Sequence, residues 1–244
     1  MLLVALALAA CRETPPAHVI GGDAFGTTWQ VRLTAPMEAP DTLQEALQAR
    51  LDHIDSELST WRDDSTISAF NQMRSEGWFP LTPDFAAVLD GAQWAARETG
   101  GALDITLRPL SVAWGFQGDG TPRVPTEEVL GTLRRHAGMH RLERAADGQS
   151  LRKRDPRVEI DLSAIAKGYA VDALAGMLSE EGVEDFLVEF GGEVFATGER
   201  PGGGAWRVAI EAPDAEATSA LELAGRAVAT SGDYRNYFEI DGQR

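Results

Sequence analysis

The chain is poor in the residues that build small metal and redox sites. Its one cysteine, Cys11, excludes an internal disulfide framework and any Cys-x-x-Cys motif. Its 4 histidines, His18, His53, His136 and His140, form no metal-ligand spacing and read as surface or core residues. Basic residues are also in deficit, 22 Lys and Arg against 38 Asp and Glu, which gives a formal charge of −16. Such a surface repels phosphate backbones and anionic headgroups, so nucleic acid and acidic lipid are discounted as electrostatic partners. A diphosphate ligand would need a local exception: a metal ion, a helix N-terminus or a few placed cations. There is no Gly-x-Ser-x-Gly elbow, no His-Glu-x-x-His, no Walker or dinucleotide fingerprint, and no repeat at solenoid spacing.

What is present begins with an apolar stretch, Met1 to Ala10, shorter than the roughly 20 residues of a spanning helix. It ends Leu8-Ala9-Ala10-Cys11 and resembles the h-region and lipobox of bacterial lipoproteins. That resemblance implies a lipid anchor on Cys11 and a polar tether from Arg12 to Ala17. The other reading is a cytosolic chain with an apolar first strand and a buried cysteine. On the lipoprotein reading, residues 1–17 are signal segment and tether, residues 18–244 fold, and the protein sits in the periplasm, anchored to the inner membrane.

With 43% hydrophobic residues the chain can bury a sizeable core. Alternating Trp29, Val31 and Leu33 predict a strand over Thr28 to Ala35, after a first strand over His18 to Gly22 and a turn at Gly26. A helix is predicted from Asp41 to about Leu58, with Leu43, Leu47, Leu51, Ile54 and Leu58 on one stripe and Gln44 placed for a capping box. Thr82-Pro83-Asp84 starts a second helix that stops at Gly100-Gly101. Residues 101–125 read as an ordered loop over a site, and Thr126 to Ala137 as a third helix. A hairpin turns at Asp147-Gly148 and returns through Val158 to Leu162. A fourth helix follows, burying Ile165, Tyr169, Ala173, Met177 and Leu178 and ending at Gly182. The rest is mostly β: Phe186 to Phe190, Glu193 to Gly198, Ala205 to Glu211, and Ala227 to Ile240 broken at Ser231-Gly232. Asp241-Gly242-Gln243-Arg244 reads as a hairpin turn, from which the chain is expected to continue. Helices and strands interleave without a βαβ rhythm, so the expected class is α+β.

The run Asp161-Leu162-Ser163-Ala164-Ile165-Ala166-Lys167-Gly168-Tyr169-Ala170-Val171-Asp172 places an acid, a hydroxyl, free N–H groups and a lysine around one helix N-terminus. The partial positive charge there suits a phosphate. Spacing alone leaves Asp161 as either a cap or a ligand group, and Lys167 as either solvated or anion-bound. Asp104, among Ala102, Leu103 and Ile105, either bonds local backbone or accepts from a ligand. Trp61 either plugs the core or stacks on an aromatic ligand, and Phe25 and Trp114 share that ambiguity. Gly191-Gly192-Glu193 is a tight turn or a close approach to a ligand.

In order, five strings resemble the ApbE family: Ala24 to Trp29; Leu58 to Trp61 with Ser65, Ile67 and Phe70-Asn71; Gly100 to Leu110 with Trp114-Gly115-Phe116; Asp161 to Asp172; and Val228 to Tyr234. With Gly191-Gly192-Glu193 the resemblance covers residues 20–244. It implies an α+β fold of mixed and antiparallel sheets flanked by helices, in a T-fold-like duplicated architecture. It also implies an FAD- and Mg²⁺-binding periplasmic lipoprotein that transfers FMN to a threonine of an acceptor flavoprotein and releases AMP. Carried over, Phe25 (usually Met in the family), Trp61, Ala102, Leu103, Asp104, Asp161 and Lys167 contact FAD, and the Ala164 carbonyl binds Mg²⁺. The family continues into a Ser-His-Ile-Ile-Asp-Pro segment with the expected base, and then into an Ala-Asp-Ala-Leu-Ala-Thr segment with metal ligands. The resemblance thus places the base and most of the metal site beyond Arg244, which would leave the chain as given inactive. The alternatives are a Mg²⁺-dependent FAD pyrophosphatase and a non-catalytic periplasmic FAD-binding protein.

Overall fold

The computed structural model describes residues 17–118, 120–210, 219–230, 237, 239 and 240. In chain order its elements are β1 (His18–Ala24), β2 (Thr27–Leu33), α1 (Pro40–Leu58), α2 (Thr66–Gln72), β3 (Phe79–Pro80) and α3 (Pro83–Glu98). Next come α4 (Arg108–Trp114), α5 (Glu127–Arg134), β4 (Leu142–Arg144), β5 (Ser150–Lys153) and α6 (Ser163–Glu180). The last are β6 (Phe186–Phe190), β7 (Glu193–Thr197), β8 (Trp206–Ile210), β9 (Ser219–Leu223) and β10 (Arg226–Val228). The class is α+β, and every ladder among the described residues is antiparallel.

The main sheet has the order β1-β2-β6-β7-β10. Alternation along its strands sends Trp29, Val31, Leu33, Phe186, Val188 and Phe190 to one face, where they join Leu47, Leu51 and Ile54 of α1 and Ala170, Leu174 and Leu178 of α6 in the large core. Leu187, Val194 and Ala196 instead meet Trp206 and Leu223 of the β8–β9 hairpin in a second, smaller core. Each fully buried Leu, Val or Phe contributes roughly 1.5–3 kcal/mol of transfer free energy, so the helical face carries most of the stabilisation.

The apolar stripe of α1 is buried as its spacing demands. The capping box does not form: the N-cap is Ala39, without a side-chain bond, and the Gln44 amide donates instead to Gly21 O at 2.9 Å, tying the helix to β1. Thr82 caps α3 by accepting Phe85 N–H at 3.3 Å. The polar run before Thr66 proves to be a helix start, with Ser65 Oγ accepting Ser68 N–H and opening α2. In α6 the fully buried residues are Ala166, Ala170, Val171, Leu174, Ala175 and Leu178, while Ile165, Tyr169, Ala173 and Met177 are half-buried against the same core. This helix lies between the sheet and the helices α1 and α3, so it has apolar neighbours on more than one side and no single stripe.

Other expectations are corrected. The hairpin β4–β5 turns at Asp147-Gly148, but its returning strand ends at Lys153, and residues 154–162 belong to no strand. Residues 101–125 are not loop throughout: they hold a 3-10 turn, Ile105–Leu107, and α4. Lys153 is fully buried, with Nζ donating to Asn71 O and Met73 O at 3.1 Å each and standing 4.8 Å from the Phe70 ring centre. It thus caps the C-terminal end of α2 with a cation. Burial lowers its pKa to about 8, helped by nearby Arg74 and opposed by Glu159. Cys11, the break at Ser231-Gly232 and the turn Asp241 to Arg244 lie outside the described residues. Among those described, no helix is long and apolar enough to cross a membrane.

Candidate functional site

The β1–β2 turn, the C-terminal end of α1 and the N-terminal end of α6 meet around a cavity of about 580 Å³. The turn contributes Phe25 and Gly26, α1 and the residues after it contribute Asp55 and Leu58 to Arg62, and α6 contributes Ser163, Ala166 and Lys167. Phe25 and Gly26 have φ of 51° and 71°, both left-handed, as a two-residue loop matched to strand twist requires. Phenylalanine rarely adopts that conformation, and here its ring is held edge-on against Phe190.

Trp61 is 68% exposed at the cavity wall. An indole so uncovered is not a core plug; it is a flat apolar surface free to stack. Lys167, on the fifth residue of α6, donates to Gly191 O at 3.2 Å and lies 2.8 Å from the Glu193 carboxylate. Gly191 has a φ of 55°, and a Cβ there would come within 2.9 Å of the Thr27 side chain and 3.3 Å of that of Lys167. The glycine pair therefore makes a tight turn that lets its backbone approach the lysine. Arg62 bonds Asp64 and lies 3.4 Å from Asp55. Two cations, each already paired with carboxylates, and a helix N-terminus thus gather at one cavity of an acidic chain.

Phe25, Trp61 and Lys167 line the same cavity. Asp161, Asp104, Ala102, Leu103 and Ala164 are not among the lining residues. Asp161 Oδ1 accepts Ser163 N–H at 2.8 Å, and its other oxygen accepts from the Gln117 amide, which fixes the turn before α6; the N-cap itself is Leu162. Asp104 Oδ1 accepts Thr106 N–H at 2.8 Å and the Thr106 hydroxyl at 2.6 Å, the local-backbone alternative. The two segments are nonetheless joined, because Asp161 N–H donates to Ile105 O at 2.8 Å. Ala102 is exposed, Leu103 packs on the large core, and Ala164 is exposed on the first turn of α6. Among the described residues no group of three or more His, Cys, Asp or Glu side chains converges.

The cavity walls are braced from behind. Arg50 of α1 grips Asp84 of α3 with both terminal nitrogens, and the Tyr169 hydroxyl of α6 donates to Asp84 Oδ1 at 2.6 Å. The Arg50 guanidinium holds the Asp84 carboxyl below the usual carboxylate range, against the opposing effect of burial and with help from Tyr169. Burial, and then Asp84, push the Tyr169 phenol up. Sequence reasoning missed Asp55, although an acid in the last turn of a helix, where the dipole disfavours it, was a usable signal. Gln117, whose partner is 44 residues away, gave none.

An antiparallel α+β scaffold carries this cavity, with aromatic faces beside a helix start. Solved flavin transferases share the scaffold. Flavin transferase ApbE from Vibrio cholerae superposes with a TM-score of 0.84 at 36% identity, over 92% of this chain and 75% of that chain. The apo form of Pseudomonas stutzeri flavinyl transferase ApbE gives 0.82 at 34% identity, over 93% and 72%. The ApbE family model matches residues 25–244, and the chain belongs to the ApbE family. Among curated relatives, the FAD:protein FMN transferase of Vibrio cholerae is 38% identical over 99% of this chain and 75% of its own length. That of Escherichia coli K12 is 33% identical over 100% and 74%.

Proposed function

We propose that the protein is an FAD:protein FMN transferase that uses FAD as substrate and esterifies a threonine of an acceptor flavoprotein with FMN. The observation that carries this reading is the pairing, in one cavity, of the exposed Trp61 indole with the cationic start of α6. The indole and the Phe25 ring suit an isoalloxazine, while Lys167 and the α6 N-terminus suit the diphosphate. In the reaction the acceptor hydroxyl oxygen bonds to the FMN-side phosphorus. The bond from that phosphorus to the bridging oxygen breaks, AMP leaves with the electron pair, and the hydroxyl proton passes to a base. Mg²⁺ would supply further charge neutralisation at the diphosphate, with the Ala164 carbonyl as the ligand that the family resemblance assigns to it. This chain's own part is to bind the flavin, orient the diphosphate and hold it beside a fixed positive field. Lipidation of Cys11 would place this chemistry at the periplasmic face of the inner membrane, within reach of membrane-bound acceptors.

The test is incubation of the protein with FAD, Mg²⁺ and a threonine-bearing acceptor flavoprotein, read as in-gel flavin fluorescence of the acceptor and as AMP release. Labelling stoichiometric with AMP supports the transferase. FMN and AMP without labelling would identify a pyrophosphatase instead, and bound but intact FAD a binding protein.

A further inference from the structure

Asn71 sits at the end of α2, buried, 89 residues before the residue it holds, and it is not among the residues that line the cavity. Its side-chain amide makes a closed pair with Ile160: Oδ1 accepts Ile160 N–H at 2.7 Å, and Nδ2 donates to Ile160 O at 2.9 Å. One partner is an N–H and the other a C=O, so the chemistry permits a single orientation of the amide. Ile160 is fully buried and belongs to no strand. Its two backbone groups would otherwise lie unpaired in the core, and Asn71 supplies the pairing that a neighbouring strand would give.

The clamp is itself anchored. Asn71 O accepts from Lys153 Nζ at 3.1 Å and from Arg74 Nη1 at 2.9 Å, and Arg74 Nη2 bonds Glu159 at 2.9 Å. Beyond Ile160 each step toward the cavity is also fixed. Asp161 N–H donates to Ile105 O, the Asp161 carboxylate receives Ser163 N–H, and Leu162 O accepts Ile165 and Ala166 N–H at 2.9 Å each. Ser163, Ala166 and Lys167 then line the cavity.

We infer that Asn71 is a positioning residue for the ligand site: by holding the backbone of Ile160 it sets where α6 begins, and so where Ser163 and Lys167 stand. For the identity of the ligand this inference rests on the flavin-transfer reading; the clamp itself does not. Asn71→Asp keeps the shape and the acceptor, removes the donor to Ile160 O, and sets a carboxylate oxygen against a carbonyl. Asn71→Ala removes both bonds. Leu223→Ala, in the small core on the far face of the sheet, serves as a control that destabilises without touching the segment.

The dissociation constant for FAD is measured by flavin fluorescence at a temperature where circular dichroism shows all three variants folded. It should rise roughly tenfold or more for both Asn71 variants, because small misplacements of binding groups are costly, and stay at the parental value for Leu223→Ala. Hydrogen exchange of the peptide spanning Ile160 to Gly168 is read alongside and needs no ligand; its protection should fall in Asn71→Asp and hold in the control. If Asn71→Ala does not fold, Asn71→Asp carries both readouts. Parental affinity together with parental protection in Asn71→Asp overturns the inference, as does an affinity loss no larger than the control's at equal loss of stability. If the parent protein itself binds no FAD, the flavin reading fails, and exchange protection alone decides for or against the clamp.

Discussion

The Phe25 ring stands edge-on to that of Phe190, with centroids 5.3 Å apart and planes at 75°, on a backbone that phenylalanine disfavours. The left-handed conformation costs on the order of 1–2 kcal/mol, and an edge-to-face pair returns about 0.5–1.5 kcal/mol. Strain and ring pair nearly balance, which leaves the ring's partial burial against the large core as its net contribution to folding. Phe25→Gly should lower the melting temperature modestly while weakening FAD binding. Differential scanning fluorimetry and a flavin titration on the same samples check this; a large loss of stability would make the ring a core element instead.

Trp61 is the most direct test of the cavity. Its indole is 68% exposed, so Trp61→Ala should leave stability within about 0.5 kcal/mol of the parent. Stacking is worth about 1–3 kcal/mol per aromatic base, so the dissociation constant for FAD should rise roughly tenfold to a hundredfold, with Trp61→Phe recovering part of the loss. Equilibrium titration separates these outcomes.

The brace behind the cavity predicts a response to acid. The folded-state pKa of Asp84 is depressed, so its ion pair stabilises the fold above the ordinary carboxylate pKa, and that contribution is lost as pH falls through the depressed value. Asp84→Asn leaves Arg50 without its carboxylate and should cost about 2–4 kcal/mol at neutral pH. Denaturant melts of parent and variant at descending pH should converge at the acid end, where the parent has lost the same pair.

Lys153 predicts a response to base. Its folded-state pKa is lowered to about 8, so between that value and the ordinary lysine pKa the unfolded chain binds more protons, and stability rises with pH across this window. Lys153→Met cannot lose a proton, so the variant should lack that rise, an increment of about 1–3 kcal/mol. Denaturant melts of both proteins from pH 7 to pH 10.5 measure it as a difference, in which other titrating groups cancel.

Patterns that are local in the chain were legible: the stripe Leu43 to Leu58, the Thr82 cap, the turn at Gly26 and the start of α6 to within a residue. Phe25, Trp61 and Lys167, which the family strings singled out, all line the cavity. Val158 and Ile160 alternate like a strand, yet their segment is held by side chains from elsewhere in the fold, and no local period reports that. The partners of Asp161 were not legible for a similar reason: they include Gln117, 44 residues away in the chain. Ser219 to Leu223, with alanine and glutamate among its residues, lacks the branched and aromatic pattern of a strand, yet it pairs with β8 and buries Leu223 in the small core.

That far face has a kinetic consequence. The β8–β9 hairpin rests on five buried residues, and the indole of Trp206 adds one bond to Thr197 O at 2.9 Å, whereas the opposite face is locked under α1 and α6. The molecule should therefore open in stages, with the hairpin lifting as a partial unfolding unit while β2 and β6 stay closed until global unfolding. In native-state amide exchange at rising denaturant, Val208 should follow a shallow, low-energy opening, and Val31 and Val188 the steep global one. Among the described residues, a protease would then reach these two strands before the packing around the cavity opens.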